Sequence, residues 1–109
     1  MAKIDANPCT EECPVKRAMD ILDGKWTILI IRDLLSGTKR FGELRYSLGE
    51  VSPKVLTQRL RELEEKGLIR KTVYPVLPPK VEYELTEEGQ SLRGVIDSLA
   101  VWGSLIAAK

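Results

Sequence analysis

Val51-Ser52-Pro53-Lys54-Val55-Leu56-Thr57-Gln58-Arg59-Leu60-Arg61-Glu62-Leu63 lies about halfway along a chain of 109 residues. Ser52 is a good helix N-cap, and Pro53 suits the first helical position, where a missing N–H costs nothing. Val51 before the cap and Leu56 at the fourth position suit a hydrophobic staple that fixes the angle at which the chain enters the helix. On a helical wheel Leu56, Leu60 and Leu63 share a narrow arc, while Lys54, Gln58 and Arg61 lie opposite and Thr57 and Val55 sit on the borders. The outward side therefore carries a cation, an amide, a guanidinium, a hydroxyl and a small apolar group. Such side chains read base edges in a DNA major groove: Arg or Lys at guanine, Gln at adenine, a small apolar group at the thymine methyl. An ordinary amphipathic helix with a solvated polar face explains the same wheel, so its neighbours have to decide.

Immediately upstream, Phe41, Leu44 and Leu48 recur at spacings of three and four and predict a short helix from Phe41 to about Leu48. Gly49-Glu50-Val51 then makes the turn into the helix at Ser52. Two helices joined by a short turn containing Gly match the helix-turn-helix pattern. The second helix is predicted to run to Lys66 and to stop at Gly67. Further upstream, Cys13-Pro14 opens a helix to about Leu22, with Val15, Ala18, Met19 and Leu22 on one side, ended by Asp23-Gly24. Lys25 to Leu35 is apolar around most of its circumference and belongs in the middle of the fold. Residues 1–12, polar and containing Pro8, form an expected loose arm.

Downstream, Leu68–Tyr74 and Val81–Leu85 read as two short strands, joined by a stiff loop with Pro75, Pro78 and Pro79. A hairpin directly behind such a helix is a wing. Thr86 caps the last predicted helix, with Glu87 and Glu88 in its first turn, where the macrodipole favours anions. Along it Leu92, Val95, Leu99, Trp102 and Ile106 follow spacings of three and four, with Ile96 flanking, which is a coiled-coil-like seam. A helix over about 87–107 would be roughly 30 Å long, which is long for so small a core. The expectation is therefore a dimer seam, against the plainer alternative that this face covers the chain's own core. The fold class expected is mainly α with a small β-hairpin: one winged helix-turn-helix domain over residues 13–109, behind the arm and dimerising through its terminal helices.

Composition narrows the function. With 43% hydrophobic residues the chain can build a real, modest core. No apolar run approaches the ~18 residues a membrane span needs, and Met1-Ala2-Lys3-Ile4-Asp5 starts no signal peptide, so a cytoplasmic protein without a membrane partner is expected. Net charge is only +1, but residues 38–80 hold ten Lys/Arg against five Asp/Glu, an excess of +5 around the suspected reading helix. A local basic patch is the footprint expected for binding phosphates. Histidine is absent, which removes the commonest general base and the commonest metal ligand together. Cys9 and Cys13 alone cannot complete a structural zinc site, and no phosphate loop or nucleophile elbow appears. Neither an enzyme nor a metal or cofactor protein is expected.

On this reading Ser52, Lys54, Thr57, Gln58 and Arg61 contact the groove, Ser52 through a phosphate at the helix N-terminus. Lys39, Arg40 and Arg45 on the preceding segment, and Lys71 and Lys80 around the wing, neutralise backbone charge. Glu62 and Glu65 share the outward face at the far end, so only the N-terminal half of the helix should lie deep in the groove. Arg59 falls toward the packed side and is expected to cover apolar surface with its stem. Cys13 precedes Pro14 at a helix start, beside Lys16 and Arg17, where partial positive charge stabilises a thiolate, although Glu11 and Glu12 oppose it. It is the candidate sensor; the alternative is a small packing residue. Trp26, Trp102 and the seam offer a second frame for a small-molecule effector.

Taken together these stretches resemble the HxlR-type family of winged-helix transcription regulators, similar in shape to MarR-type repressors. The resemblance runs from Cys13 to about Trp102 and rests on Cys13-Pro14-Val15, Gly24-Lys25-Trp26-Thr27, Arg40-Phe41-Gly42-Glu43-Leu44, Ser52-Pro53-Lys54-Val55-Leu56 and Arg59-Leu60-Arg61-Glu62-Leu63-Glu64. It continues through Tyr74-Pro75, Pro78-Pro79, Val81-Glu82-Tyr83, Leu85-Thr86 and Gly89. It implies a homodimer on double-stranded DNA, with dimer contacts from the N- and C-terminal helices and inverted half-sites about one helical turn, or a multiple, apart. In several relatives the cysteine at this position senses oxidants, quinones or other electrophiles, which extends the implication to Cys13. Val76-Leu77 departs from the pattern, since relatives often carry an acidic residue there. The expected function is a sequence-specific, homodimeric transcriptional regulator. The competing class is a winged-helix protein–protein interaction module without sequence-specific DNA binding.

Overall fold

A computed structural model describes residues 13–107. Along the chain it has α1 (Pro14–Ile21), α2 (Lys25–Leu34), α3 (Phe41–Leu48), α4 (Pro53–Glu65), β1 (Ile69–Tyr74), β2 (Lys80–Leu85), α5 (Glu87–Gln90) and α6 (Arg93–Ala107). The expected arm, residues 1–12, lies outside the described residues.

α2 is the hub. Its Ile30, Ile31 and Leu34 are buried in one cluster with Leu44 of α3, Leu56, Leu60 and Leu63 of α4, and Leu68, Ile69, Tyr83 and Leu85 of the hairpin. Thr27 is buried with them, and its hydroxyl donates to the Asp23 carbonyl at 2.7 Å, so burial leaves no orphaned donor. Gly24, before α2, has φ +93° and faces the Arg59 guanidinium, with Nε 3.3 Å from where a Cβ would stand. A side chain here would strain the backbone and crowd the Arg59 guanidinium.

β1 and β2 pair antiparallel from Ile69 opposite Leu85 to Tyr74 opposite Lys80. The loop before α3 joins them: Lys39 N–H donates to Tyr83 O at 2.9 Å and Tyr83 N–H to Lys39 O at 2.8 Å. This pairing ties the approach to the helix-turn-helix onto the wing.

The C-terminal region differs from the unbroken helix expected over about 87–107. The chain forms a four-residue α5, turns at Ser91 and Leu92, and starts α6 at Arg93. The physical reason lies at Gly89, where a Cβ would stand 2.2 Å from the Leu68 carbonyl oxygen. α5 is thus pressed directly onto backbone at the hairpin's foot. Thr86 fastens the same joint: its hydroxyl donates to Gly67 O at 2.6 Å and accepts from Gly89 N–H at 3.1 Å, and its N–H donates to Leu68 O at 3.0 Å. Ser91 and Leu92 then close short i−3 bonds onto Glu88 and Gly89 at 3.2 and 3.1 Å, which tightens the turn and redirects the chain. Beyond it Leu92 and Ile96 pack half-buried against the core. Val95, Leu99, Val101, Trp102, Leu105 and Ile106 remain exposed. α1 has no buried residue, and Val15, Met19 and Ile21 on it are also exposed.

Candidate nucleic-acid interface

α4 holds its reading face outward by anchoring the opposite one. Ser52 Oγ accepts from Val55 N–H at 3.1 Å, the expected cap, with Pro53 in the first turn. Val51 and Leu56, the two residues of the expected staple, are both buried. Leu56, Leu60 and Leu63 are sealed in the core, so α4 cannot roll without opening it. On the far side Pro53, Lys54, Thr57, Gln58 and Arg61 line one open groove. Four of the five predicted groove residues therefore share one surface, with Ser52 exposed at its start.

That surface runs on to the wing. Thr57, Leu60, Arg61 and Glu64 of α4 and Lys71 and Tyr83 of the hairpin line a narrow cleft between the two elements. Burial, and secondarily the Glu64 carboxylate, hold the Tyr83 phenol above its usual pKa of 10.0. Lys71 therefore stands beside Arg61, and no described residue forms an ion pair with it.

The other predicted backbone contacts divide. Arg45 is exposed on α3, where it lines a shallow depression with Gly42, Tyr46 and Gly49. Arg40 is exposed at the α3 N-cap, its N–H bonded to Glu43 Oε1 at 2.8 Å. Lys39 is half-buried, with Nζ 3.1 Å from Ser36 Oγ. Lys80 is occupied: Nζ sits 3.3 Å from Glu82 Oε2 and 5.0 Å from the centre of the Tyr74 ring.

Arg59 is half-buried, with its guanidinium beside Gly24, and its Nη1 donates to Glu62 Oε1 at 3.1 Å. Glu62 also accepts from Gln58 Nε2 at 3.4 Å. Glu62 is thus tied down by its neighbours, which leaves Glu65 as the freer of the two carboxylates expected on the outward face. At the end of α4, Lys66 Nζ donates to the Ile21 carbonyl at 2.8 Å.

One residue that sequence reasoning missed is Tyr46, 91% exposed on α3 beside Arg45. The wheel that buries Leu44 already places Tyr46 on the opposite side, so a signal existed. Cys13 is the N-cap residue of α1 and is disulfide-bonded. Cys9 lies outside the described residues. Trp102 lines a shallow apolar depression with Asp97, Ser98, Val101 and Leu105. Trp26 packs on the core, with Lys25 Nζ 4.5 Å from the centre of its ring.

Known proteins share this fold. The family model for the HxlR-like helix-turn-helix matches residues 21–109. An uncharacterized HTH-type transcriptional regulator of Synechocystis sp. is 43% identical over 107 residues, covering 95% of this chain and 79% of the relative. Among solved structures, a MarR-family transcriptional regulator from Porphyromonas gingivalis W83 superposes with a TM-score of 0.85 at 43% identity, over 90% of this chain and 96% of that one. The redox regulator HypR in its oxidized form superposes with a TM-score of 0.80 at 39% identity, over 84% and 95%. The chain belongs to the HxlR-like helix-turn-helix family. It is a DNA-binding transcriptional regulator with a winged-helix fold, and its relatives are regulators rather than enzymes. No described helix is long and apolar enough to cross a membrane.

Proposed function

We propose that two copies of this chain pair through α6 and α1 and read an inverted repeat, each placing the N-terminal half of α4 in a major groove. The observation that carries the base reading is the shared groove of Lys54, Thr57, Gln58 and Arg61 on a helix whose opposite face is sealed in the core. Lys54 and Arg61 suit guanine, and Gln58 suits adenine. Arg40, Arg45 and Lys71 take phosphates, joined by Ser52 at the helix start and by Tyr46, whose hydroxyl can donate to one. Lys39, next to Arg40 in the chain, adds charge, and Lys80 must exchange Glu82 for a phosphate to contribute.

Pairing draws support from the apolar side chains left outside the core. Val95, Leu99, Trp102 and Ile106 point away from it, while Leu92 and Ile96 root the helix. Covering a Val, Leu or Ile stabilises by roughly 1.5–3 kcal/mol, so water is a poor resting place for such a row. Regulation by oxidants or electrophiles through Cys13 draws support from its N-cap position, its disulfide, and a structural relative described as a redox regulator.

The test is selection of bound fragments from genomic DNA, followed by titration of the recovered site and of random duplex across salt. Preference for one inverted repeat, with affinity that falls as salt rises, is expected. Equal affinity for every sequence would remove base reading. Binding unchanged by diamide or a quinone, and unchanged in Cys13→Ser, would remove the sensor.

A further inference from the structure

The strands of the wing carry its charges and the loop that joins them carries none. Lys71 stands near the foot, beside Arg61. The other strand cations are engaged, Arg70 with Glu84 at 3.3 Å nearer the foot and Lys80 with Glu82 at 3.3 Å beside the loop. Residues 75–79 are Pro-Val-Leu-Pro-Pro, without a single charge. Within them Leu77 is 95% exposed and Val76 about half exposed, so the hairpin holds a bare apolar knob out in solvent.

A phosphate offers this knob nothing, because it would lose water without gaining a partner. Duplex DNA does offer apolar surface in the minor groove, where sugar faces and base steps accept Leu and Pro side chains as wedges. The reach fits. Six strand residues at ~3.3 Å each span about 20 Å. Neighbouring grooves lie about half of a ~34 Å helical turn apart, roughly 17 Å. With α4 seated in the major groove and Lys71 at its edge, the tip arrives at the adjacent minor groove.

We propose that Leu77, framed by Val76 and Pro78, is an uncharged minor-groove wedge. It selects easily opened pyrimidine–purine steps at a fixed distance from the bases that α4 reads. The wedge rests on the placement of α4 in the major groove and adds a second, shape-dependent source of specificity to it.

The experiment uses the full chain, the DNA site recovered by selection, and a copy of that site carrying 2-aminopurine at successive flanking steps. Wild type should brighten the probe at one step, as unstacking requires, and Leu77→Ser should abolish the brightening. Leu77→Ser should also weaken binding about tenfold, the worth of covering one such side chain, with an unchanged salt slope because no phosphate contact is lost. Because Leu77 is so exposed, the variant's thermal unfolding should match wild type. Full affinity in Leu77→Ser, or a salt slope reduced by about one, overturns the wedge while leaving the α4 reading intact. Failure of the wild-type chain to bind duplex DNA overturns both.

Discussion

α4 and α6 are both amphipathic helices of similar length, yet the chain treats them in opposite ways. α4, of 13 residues, seals Leu56, Leu60 and Leu63 inside and leaves its polar face in water. α6, of 15 residues, buries no side chain fully and leaves Trp102 61% exposed. The difference separates a helix completed by its own chain from one whose apolar side has no cover among the described residues. The two are suited to different roles, since a fixed helix presents side chains accurately and an uncovered one joins molecules.

The contrast can be broken most severely at α4. Leu60→Ala leaves a cavity where the helix is anchored and should cost about 2–5 kcal/mol in chemical denaturation. A cost near zero would mean that α4 is not held as described. At α6 the loss should appear in assembly instead. Trp102→Ala removes one side chain from each copy of a two-fold pair, about 3 kcal/mol or more of association. Sedimentation should show dissociation at concentrations where wild type stays paired, and an unchanged dimer would place the interface elsewhere. On the reading face, Arg61→Ala should cost about 1–3 kcal/mol at the recovered site and relax preference at one base pair. Equal losses on specific and random DNA would make Arg61 a phosphate contact. Ser52→Ala removes the cap acceptor of Val55 N–H and should lower stability by about 1 kcal/mol.

The smallest effect concerns pH. Tyr83 keeps its proton more tightly in the folded chain than when unfolded, owing to burial and then to Glu64. Its contribution is full below the unfolded pKa, near 10.0, and fades as pH rises through the higher folded value. Stability should fall above about pH 10, and less steeply in Tyr83→Phe. Equal slopes in a pH series of denaturation curves would refute that assignment.

Much of this was legible in the sequence because it follows from period and punctuation. Ser52-Pro53 started α4 where expected, the leucine arc gave its buried side, and the prolines of residues 75–79 marked the wing loop. The break after α5 was not legible. Its cause is the approach of Gly89 to the Leu68 carbonyl, a contact between residues 21 positions apart that no local pattern encodes. The seam inherited the same blindness: spacing joined Leu92 and Ile96 to Val95, Leu99, Trp102 and Ile106, whereas packing turns the first two inward. Lys80 is similar, because periodicity reveals a cation near the wing tip but not that Glu82 and Tyr74 already hold it.

The joint of Thr86 and Gly89 on residues 67 and 68 has one more consequence. It lies on the backbone that leads from the hairpin behind α4 to the helix proposed to pair two copies. In a paired molecule it would act as a caliper setting, fixing how far apart two copies of α4 stand. An added methyl in Gly89→Ala must push α5 off the Leu68 carbonyl. That change would alter which half-site spacing on DNA is tolerated, without touching any residue that meets a base.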